Sequence, residues 1–153
     1  RLGYIGAPLH IAQACTKIQG QFTSGTSSIS QRAAIAAVSA DPSVIHKMRD
    51  AFLSRRDFIL EELNKIKGIN INQPQGAFYV FPDVSAFFNK SYGDFTVTNS
   101  DQLAMYILET AKVAVVTGNA FGSPNCIRIS YASSMEKLKD AMHRIATALN
   151  NLN

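Results

Sequence analysis

The chain has 153 residues, which is enough for one domain or for one domain and part of another. Hydrophobic residues make up 46% of the sequence and charged residues 17%, proportions that are typical of a folded globular protein and exclude a disordered tail. The formal net charge of +4 is compatible with an anionic ligand or a nucleic acid. The densest basic residues, between positions 55 and 67, are interleaved with acidic residues, as on a solvated helix face. We therefore expect no nucleic-acid partner.

The sequence also limits the cellular setting. No apolar run reaches the roughly 18–20 residues of a membrane span, and no signal peptide is recognisable, so we expect a cytoplasmic protein without membrane contact. Cys15 and Cys126 are far apart in apolar surroundings, which predicts buried free thiols in a reducing compartment. The chain begins at Arg1, inside a predicted strand and without a Met, and we expect it to be a fragment of a longer protein.

The first part of the chain contains one predicted strand and two predicted helices. Residues 2–6 favour a strand, and apolar residues at helical spacing predict a helix over 9–21. The segment 22–28 is rich in hydroxyls and glycine, so it ends this helix. Ser27 or Ser28 is then placed to cap a second helix over 29–39.

A longer amphipathic helix is predicted over 44–67, and Gly68 follows it in the position of a C-cap. A brief strand is expected at 69–71, a strong strand at 77–81, and an exposed polar loop at 88–99. The stripe of the helix that we expect to be buried consists of Ile45, Met48, Phe52, Ile59, Leu63 and Ile66.

The last third of the chain alternates helix and strand. A helix that starts at Asn99 or Ser100 and runs to about residue 111 precedes strands at 113–116 and 126–131. A final helix, capped near Ser133 or Ser134, runs to about residue 149. The order from residue 44 onward predicts an α+β domain in which helices cover a small, mostly antiparallel sheet.

The predicted elements divide the chain into two domains. We expect residues 44–153 to form the small α+β domain. Residues 1–43 are too few for a core of their own, so we expect them to be the remnant of a larger domain.

Arg128 is the residue that points most directly to chemistry. Strand alternation places Ile127 and Ile129 on one face and Arg128 on the other. A lone arginine on an apolar strand needs an anionic partner, and between Asp101 and Glu136 the only acidic residue is Glu109. The planar guanidinium suits a ligand carboxylate, but an ion pair with a carboxylate distant in sequence fits the spacing equally well.

Other candidate sites carry weaker patterns. Arg1 could bind a phosphate or a carboxylate, or it could be an ordinary exposed arginine. The hydroxyls of residues 23–28 could cradle a phosphate at a helix start, although capping alone explains most of this pattern. The histidines are isolated, which argues against a metal site, and no nucleophile motif is present. The aromatic segment 75–81 lacks the basic residue and the second strand of an RNA-recognition fold.

Several ordered segments, however, resemble one family. Residues 1–6 are similar to the end of the glycine-tryptophan-arginine-x-glycine run that follows the active-site lysine of class I aminotransferases, the fold-type-I pyridoxal-phosphate enzymes. Residues 22–31 resemble their threonine-serine loop, and 74–79 match their P-x-G-A-F-Y motif. Residues 118–122 and 127–132 match the G-x-x-F-G and I-R-x-S-x-A signature.

This resemblance implies the C-terminal part of an aminotransferase of the aspartate type: a small domain preceded by a strand and two helices of the large cofactor domain. It implies that Arg128 binds the substrate α-carboxylate and that Arg1 binds the phosphate of pyridoxal phosphate. It also implies that Gly118 and Phe121 shape the wall of the site beside the substrate. Thr117 stands where many relatives have proline, so we expect a less rigid loop. The Schiff-base lysine lies upstream by this comparison, so no catalytic residue is assigned and the fragment alone is expected to be inactive.

The resemblance further implies amino-acid and 2-oxo-acid substrates, with aspartate and 2-oxoglutarate preferred, contact with the upstream half, and a homodimer. The second carboxylate of aspartate requires another cation, and residues 19–31 contain no arginine. Either a lysine or arginine of the upstream half supplies that cation, or the substrate is an aromatic or other amino acid. A purely structural domain is the alternative function.

Overall fold

The computed structural model describes residues 2–153, which form two compact units. The first unit ends at His46, and the second comprises Lys47–Asn153. The assignment of residues 1–43 and 44–153 to a large and a small aminotransferase domain remains a prediction.

The first unit contains two helices, α1 (Leu9–Phe22) and α2 (Ser28–Ser39), and both were predicted. The strand predicted at 2–6 is wrong, because residues 2–8 form no regular secondary structure. A strand needs a neighbour to satisfy its backbone groups, and the described residues of the first unit contain no strand to pair with it. None of the residues in either helix is buried, so both carry exposed apolar side chains such as Phe22 and Ile29.

Helix α3 (His46–Asn64) follows a short 3-10 turn at Pro42–Ile45. The predicted helix over 44–67 is thus shorter at both ends, and Gly68 lies in the turn beyond it with a φ of 98°. Ile59, Leu63 and Ile66 of the predicted stripe are buried and Phe52 is partly buried. The prediction was wrong for Ile45 and Met48, which are 57% and 63% exposed, because the N-terminal half of the helix lies outside the core.

A three-stranded antiparallel sheet lies in the second unit. Its strands are β1 (Tyr79–Val80), β4 (Val116–Thr117) and β5 (Ile127–Ser130), in the order β1-β5-β4. The strand predicted over 77–81 begins late because Ala77 has a φ of 63°, a left-handed conformation that cannot join an extended ladder. The brief strand predicted at 69–71 is reduced to an isolated bridge between Asn70 and Asp83.

The loop predicted at 88–99 is instead a β-hairpin. Strands β2 (Lys90–Tyr92) and β3 (Phe95–Val97) are antiparallel and are joined by Gly93 and Asp94. Gly93 has a φ of 58°, the left-handed conformation that a two-residue hairpin connection requires. The other edge of β2 is also paired, because the backbone of Ser91 exchanges hydrogen bonds of 2.9 and 3.1 Å with Asn153.

Two capped helices pack with the sheet, α4 (Ser100–Ala111) and α5 (Met135–Asn150). The side chain of Asn99 accepts a hydrogen bond from the N–H of Gln102. The side chain of Ser134 accepts one from the N–H of Lys137, which confirms the cap predicted for the final helix. Across residues 2–153, none of the helices has the length and apolar character that crossing a bilayer demands. The largest fully buried side chains of the core belong to Tyr106, Tyr131, Ile59, Leu63, Leu103, Ile107, Ile127, Met142, Ile145, Leu149, Val80 and Val84.

Candidate substrate-binding site around Arg128

Arg128 lies on β5, the central strand of the three-stranded sheet, where it pairs with Val116 of β4. Its strand neighbours Ile127 and Ile129 are buried in the core, at 0% and 5% exposure. Arg128 is half-buried on the opposite face, as strand alternation predicted. The sheet therefore fixes the backbone of the arginine while its side chain points away from the core.

Two aromatic rings border the guanidinium of Arg128. Its Cζ lies 4.7 Å from the ring centroid of Phe121 and 5.4 Å from that of Tyr79. Among residues 2–153, no Asp or Glu forms an ion pair with Arg128, and its side chain donates no hydrogen bond. The five N–H donors of the guanidinium are thus left for another partner, and a carboxylate matches their planar geometry.

The aromatic rings beside Arg128 remain accessible. Phe121 is 49% exposed and Tyr79 is 38% exposed, so a ligand could contact both. Phe81 packs edge-to-face against Phe121, with 5.9 Å between ring centroids. The guanidinium of Arg128 is therefore bordered by apolar rings that are partly exposed. Beside these rings, solvent screens an ionic interaction less than it does in bulk water.

A tight loop positions Phe121. The ring belongs to a 3-10 turn at Gly118–Phe121, and the hydroxyl of Thr117 accepts a 3.2 Å hydrogen bond from the N–H of Asn119. The same hydroxyl is 2.9 Å from that of Ser100, and the Asn119 amide donates to Asp101 at 2.7 Å. These bonds tie the loop to the start of α4, and they restrain it at the residue where the sequence suggested less rigidity.

Gly118 permits the close packing of this loop. It is buried, and a Cβ atom there would lie 2.0 Å from the carbonyl oxygen of Ser123 and 2.4 Å from that of Cys126. No side chain can be accommodated at such distances without moving the backbone. Gly118 therefore allows the turn that carries Phe121.

The turn before β1 positions Tyr79 in a similar way. The Arg56 guanidinium donates to the carbonyl of Pro74 at 3.2 Å, and the hydroxyl of Tyr131 donates to that of Ala77 at 3.2 Å. The backbone N–H of Tyr131 also donates to the carbonyl of Phe78 at 2.8 Å. Burial raises the pKa of Tyr131 above the ordinary value of a tyrosine.

The other predicted anion contacts belong to the first 46 residues of the chain. Arg1 lies outside the described residues, so its role as a phosphate ligand stays a prediction. Ser27 precedes α2, but its hydroxyl accepts no hydrogen bond from the helix. The amide of Gln31 instead donates to the carbonyl of Thr26 at 2.8 Å. Capping by a hydroxyl, which we expected at this helix, does not occur there.

The cysteines differ from the prediction in burial. Both are free thiols, but Cys15 is exposed and Cys126 is only half-buried. Cys15 was expected inside, yet the helix that carries it has no buried residue. Burial raises the pKa of the Cys126 thiol, and the charge of Asp83 raises it further. In the described part of the chain, no group of His, Cys, Asp or Glu side chains could hold a metal ion.

The sequence did not reveal the contact of Tyr79 with Arg128. Tyr79 lies 49 positions before Arg128, and only the pairing of β1 with β5, in which Tyr79 faces Ser130, brings them together. The signal was present in the alternation of both strands, but the register between them was not predictable. Phe121 was named as a wall residue, without its contact to the guanidinium.

Comparison with known proteins assigns these features to a family. The family model described as "Aminotransferase class I and II" matches residues 1–145. A bifunctional aspartate aminotransferase and glutamate/aspartate-prephenate aminotransferase of Petunia hybrida is 46% identical, over 97% of this chain and 32% of the relative. An aspartate/prephenate aminotransferase of Cereibacter sphaeroides is 44% identical, over 95% of this chain and 36% of the relative.

Solved structures give the same result. The crystal structure of an aspartate aminotransferase from Rhizobium meliloti superposes with a TM-score of 0.81 and 37% identity, covering 97% of this chain and 37% of that one. An alanine aminotransferase from Pyrococcus furiosus gives a TM-score of 0.75 and 26% identity, covering 93% of this chain and 35% of that one. The chain spans about a third of the length of the curated relatives that it matches.

Proposed function

The chain belongs to the class I and II aminotransferase family, and from this premise we propose that the protein containing it transfers an amino group between an L-amino acid and 2-oxoglutarate. The amino acid that we favour is aspartate, which is named for relatives from Petunia hybrida and Cereibacter sphaeroides. The observation that carries the proposal is the Arg128 guanidinium, which no carboxylate of residues 2–153 neutralises.

The role that we assign to Arg128 is to bind the α-carboxylate of the amino acid. A guanidinium presents parallel N–H donors to both oxygens of a carboxylate, which fixes orientation as well as distance. Every amino-acid and 2-oxo-acid substrate of a transaminase carries this carboxylate, so the contact serves both halves of the reaction. The aromatic faces of Tyr79 and Phe121 displace water from the guanidinium and strengthen the ion pair.

Class I and II aminotransferases use pyridoxal phosphate, whose ring acts as the electron sink when the amino-acid Cα–H bond is broken. The guanidinium of Arg128, which is unpaired among residues 2–153, and the exposed rings of Tyr79 and Phe121 suit the part of a pyridoxal-phosphate site that binds the substrate carboxylate. We propose Arg1 for the cofactor phosphate because a guanidinium suits a dianionic group. We propose that the lysine that bonds to the cofactor and moves the α-proton lies upstream of Arg1, as the resemblance implies.

A second candidate substrate is an acid with a cyclic side chain. Prephenate is named as a substrate of the same two relatives. In this chain, the rings of Tyr79 and Phe121 stand beside the cation that we assign to the carboxylate. A ring-bearing 2-oxo acid would pack on these exposed faces, whereas the side-chain carboxylate of aspartate requires a further cation.

The test is substitution of Arg128 in the complete protein. We expect Arg128→Ala to lower kcat/KM for aspartate by about 100-fold or more, because one partner of a desolvated charge pair is removed. Arg144→Ala is the matched control, since that guanidinium is already paired with Asp140 on α5. Unchanged kinetics in Arg128→Ala would refute the assignment. Comparing 2-oxoglutarate with prephenate as the amino acceptor, with aspartate as the amino donor in both assays, separates the two candidate 2-oxo acids.

Three further properties belong to the proposal. The free thiols of Cys15 and Cys126 support a reducing compartment such as the cytoplasm. The exposed apolar residues of α1 and α2 support contact with the upstream half of the protein and a homodimer, as the resemblance implies. Transamination of aspartate or prephenate also supports a role in amino-acid biosynthesis. Light scattering of the complete protein would establish whether it is a dimer.

A further inference from the structure

The rings of Tyr79 and Phe121 come from separate segments of the chain and meet at one cation. We propose that these rings are an aromatic clamp, defined as Tyr79 and Phe121, that holds the guanidinium plane of Arg128 ready for a carboxylate. This inference rests on the proposed role of Arg128 in substrate binding. The two aromatic residues are positioning residues for that reaction, because they act through the arginine.

A half-buried arginine that binds a ligand needs such a restraint on its side-chain conformation. Its long side chain has many rotamers, and binding a carboxylate in one orientation requires that most of them be given up. In many sites a protein carboxylate imposes the orientation, but no such ion pair restrains Arg128 among residues 2–153. Cation–π attraction to two rings supplies orientation without occupying the N–H donors that a ligand needs.

The rings are themselves held in place by independent contacts. Tyr79 lies on β1, whose backbone pairs with β5 in a register that sets Tyr79 opposite Ser130. Phe121 lies in the 3-10 turn that is bonded to the start of α4, and Phe81 supports its ring edge-to-face. The clamp is therefore part of the sheet and its adjoining loop.

The clamp also explains how the half-buried guanidinium of Arg128 is stabilised without an ion pair to a carboxylate of residues 2–153. Ring faces attract the cation but accept no strong in-plane hydrogen bonds, so the N–H groups along the edge of the guanidinium stay free for another acceptor. A planar carboxylate can accept from two of them at once. A lysine could be attracted by the same rings, but its ammonium group lacks a plane for them to orient.

The experiment changes the rings in the complete protein and measures KM for the amino acid separately from kcat. We expect Tyr79→Leu and Phe121→Leu each to raise KM by about 3-fold, and the double variant by about 10-fold, while kcat changes by less than about twofold. The conservative variants Tyr79→Phe and Phe121→Tyr keep a ring face and should retain the original KM. Tyr92→Leu, which removes a ring of similar exposure from the hairpin, is the matched control and should leave KM unchanged.

Fluorinated phenylalanine at position 121 tests the electrostatics without changing the shape of the loop. Successive fluorine atoms weaken the negative face of the ring, so KM should rise stepwise with fluorination. This series also keeps the proposal testable if a leucine variant does not fold. A KM that is independent of fluorination would overturn the cation–π clamp.

A double-mutant comparison distinguishes the clamp from the proposed function. If the rings act through the arginine, their removal in an Arg128→Ala background should have no further effect on KM. Measured with aspartate, which has no ring of its own to pack on Tyr79 and Phe121, equal losses in both backgrounds would show that the rings contact substrate directly, and the clamp would be wrong while Arg128 kept its role. If Arg128→Ala itself leaves KM unchanged, the proposed role of Arg128 fails, and the clamp fails with it.

Discussion

The backbone N–H of Gly118 donates a 2.7 Å hydrogen bond to the carbonyl oxygen of Cys126, which closes the loop that carries Phe121. The same loop is closed again where the N–H of Ser123 donates to the carbonyl of Gly118 at 3.0 Å. Both carbonyls, of Cys126 and of Ser123, are the atoms that a side chain at position 118 would strike. The loop can therefore close through these hydrogen bonds only because residue 118 has no Cβ atom to displace the two carbonyls.

We predict that Gly118→Ala lowers the free energy of unfolding by about 3 kcal/mol, because its Cβ atom would have to displace backbone at 2.0 and 2.4 Å. The control is Gly76→Ala, since a Cβ atom there meets nothing within 4 Å. It should change stability by less than about 0.5 kcal/mol. Urea unfolding of both variants measures the difference, and similar midpoints would contradict the packing described for Gly118.

A second prediction concerns alkaline pH. Burial raises the pKa of Tyr131 in the folded state, so its contribution to stability is complete below the unfolded pKa of about 10 and is lost as pH rises through the folded value. We expect Tyr131→Phe to be less stable than the original by about 1 kcal/mol at neutral pH, through loss of the bond to Ala77. Above about pH 10 its stability should fall less steeply.

The measurement is denaturant unfolding at a series of pH values from neutral to strongly alkaline. Tyr92→Phe provides the comparison, because it deletes the hydroxyl of an exposed tyrosine. A parallel decline of the original and the Tyr131→Phe variant would show that ionisation of Tyr131 is not coupled to unfolding. Tyr106, whose pKa is also raised by burial, should contribute the alkaline decline that remains.

The thiols should differ in reactivity. Cys15 is exposed, whereas burial raises the pKa of the half-buried Cys126 and reduces its thiolate fraction. We predict that iodoacetamide alkylates Cys15 of the 153-residue chain several times faster than Cys126 near neutral pH, as peptide mass spectrometry can measure. In urea, where the chain is unfolded, we expect both cysteines to be alkylated at equal rates, and these rates are the reference. Faster modification of Cys126 in the native chain would contradict its description.

The helices of the second unit were largely predictable from the sequence because their signals are local. The side chains of Asn99 and Ser134 cap α4 and α5, because each accepts a hydrogen bond from the backbone N–H three residues further along the chain. The hairpin at 90–97 was missed because its polar residues resemble a loop, although Gly93 followed by Asp94 is a turn signal. The late start of β1 depends on the left-handed backbone of Ala77, which a sequence pattern does not reveal.

The site was only partly predictable, for a related reason. Alternation within one strand placed Arg128 opposite the buried Ile127 and Ile129, because a strand determines the faces of its own side chains. The partners of Arg128 depend on contacts between distant segments, and neither the register of β1 nor the fold of the loop at 118–121 follows from local spacing. The sequence therefore singled out Arg128 and, by resemblance, Phe121, while the contacts of Tyr79 and Phe121 with the guanidinium required the structure.

The last prediction is that the 153-residue chain, supplied with pyridoxal phosphate, does not transaminate aspartate. The physical reason is that Arg128 can bind a carboxylate but cannot remove the α-proton, which requires a base with a pKa near the working pH. The resemblance assigns that task to a lysine upstream of Arg1. The assay should therefore show no oxaloacetate formation and no new visible absorption on adding the cofactor, while the complete protein shows both. Turnover by the 153-residue chain would refute the assignment and would require one of its own lysines to act as the base.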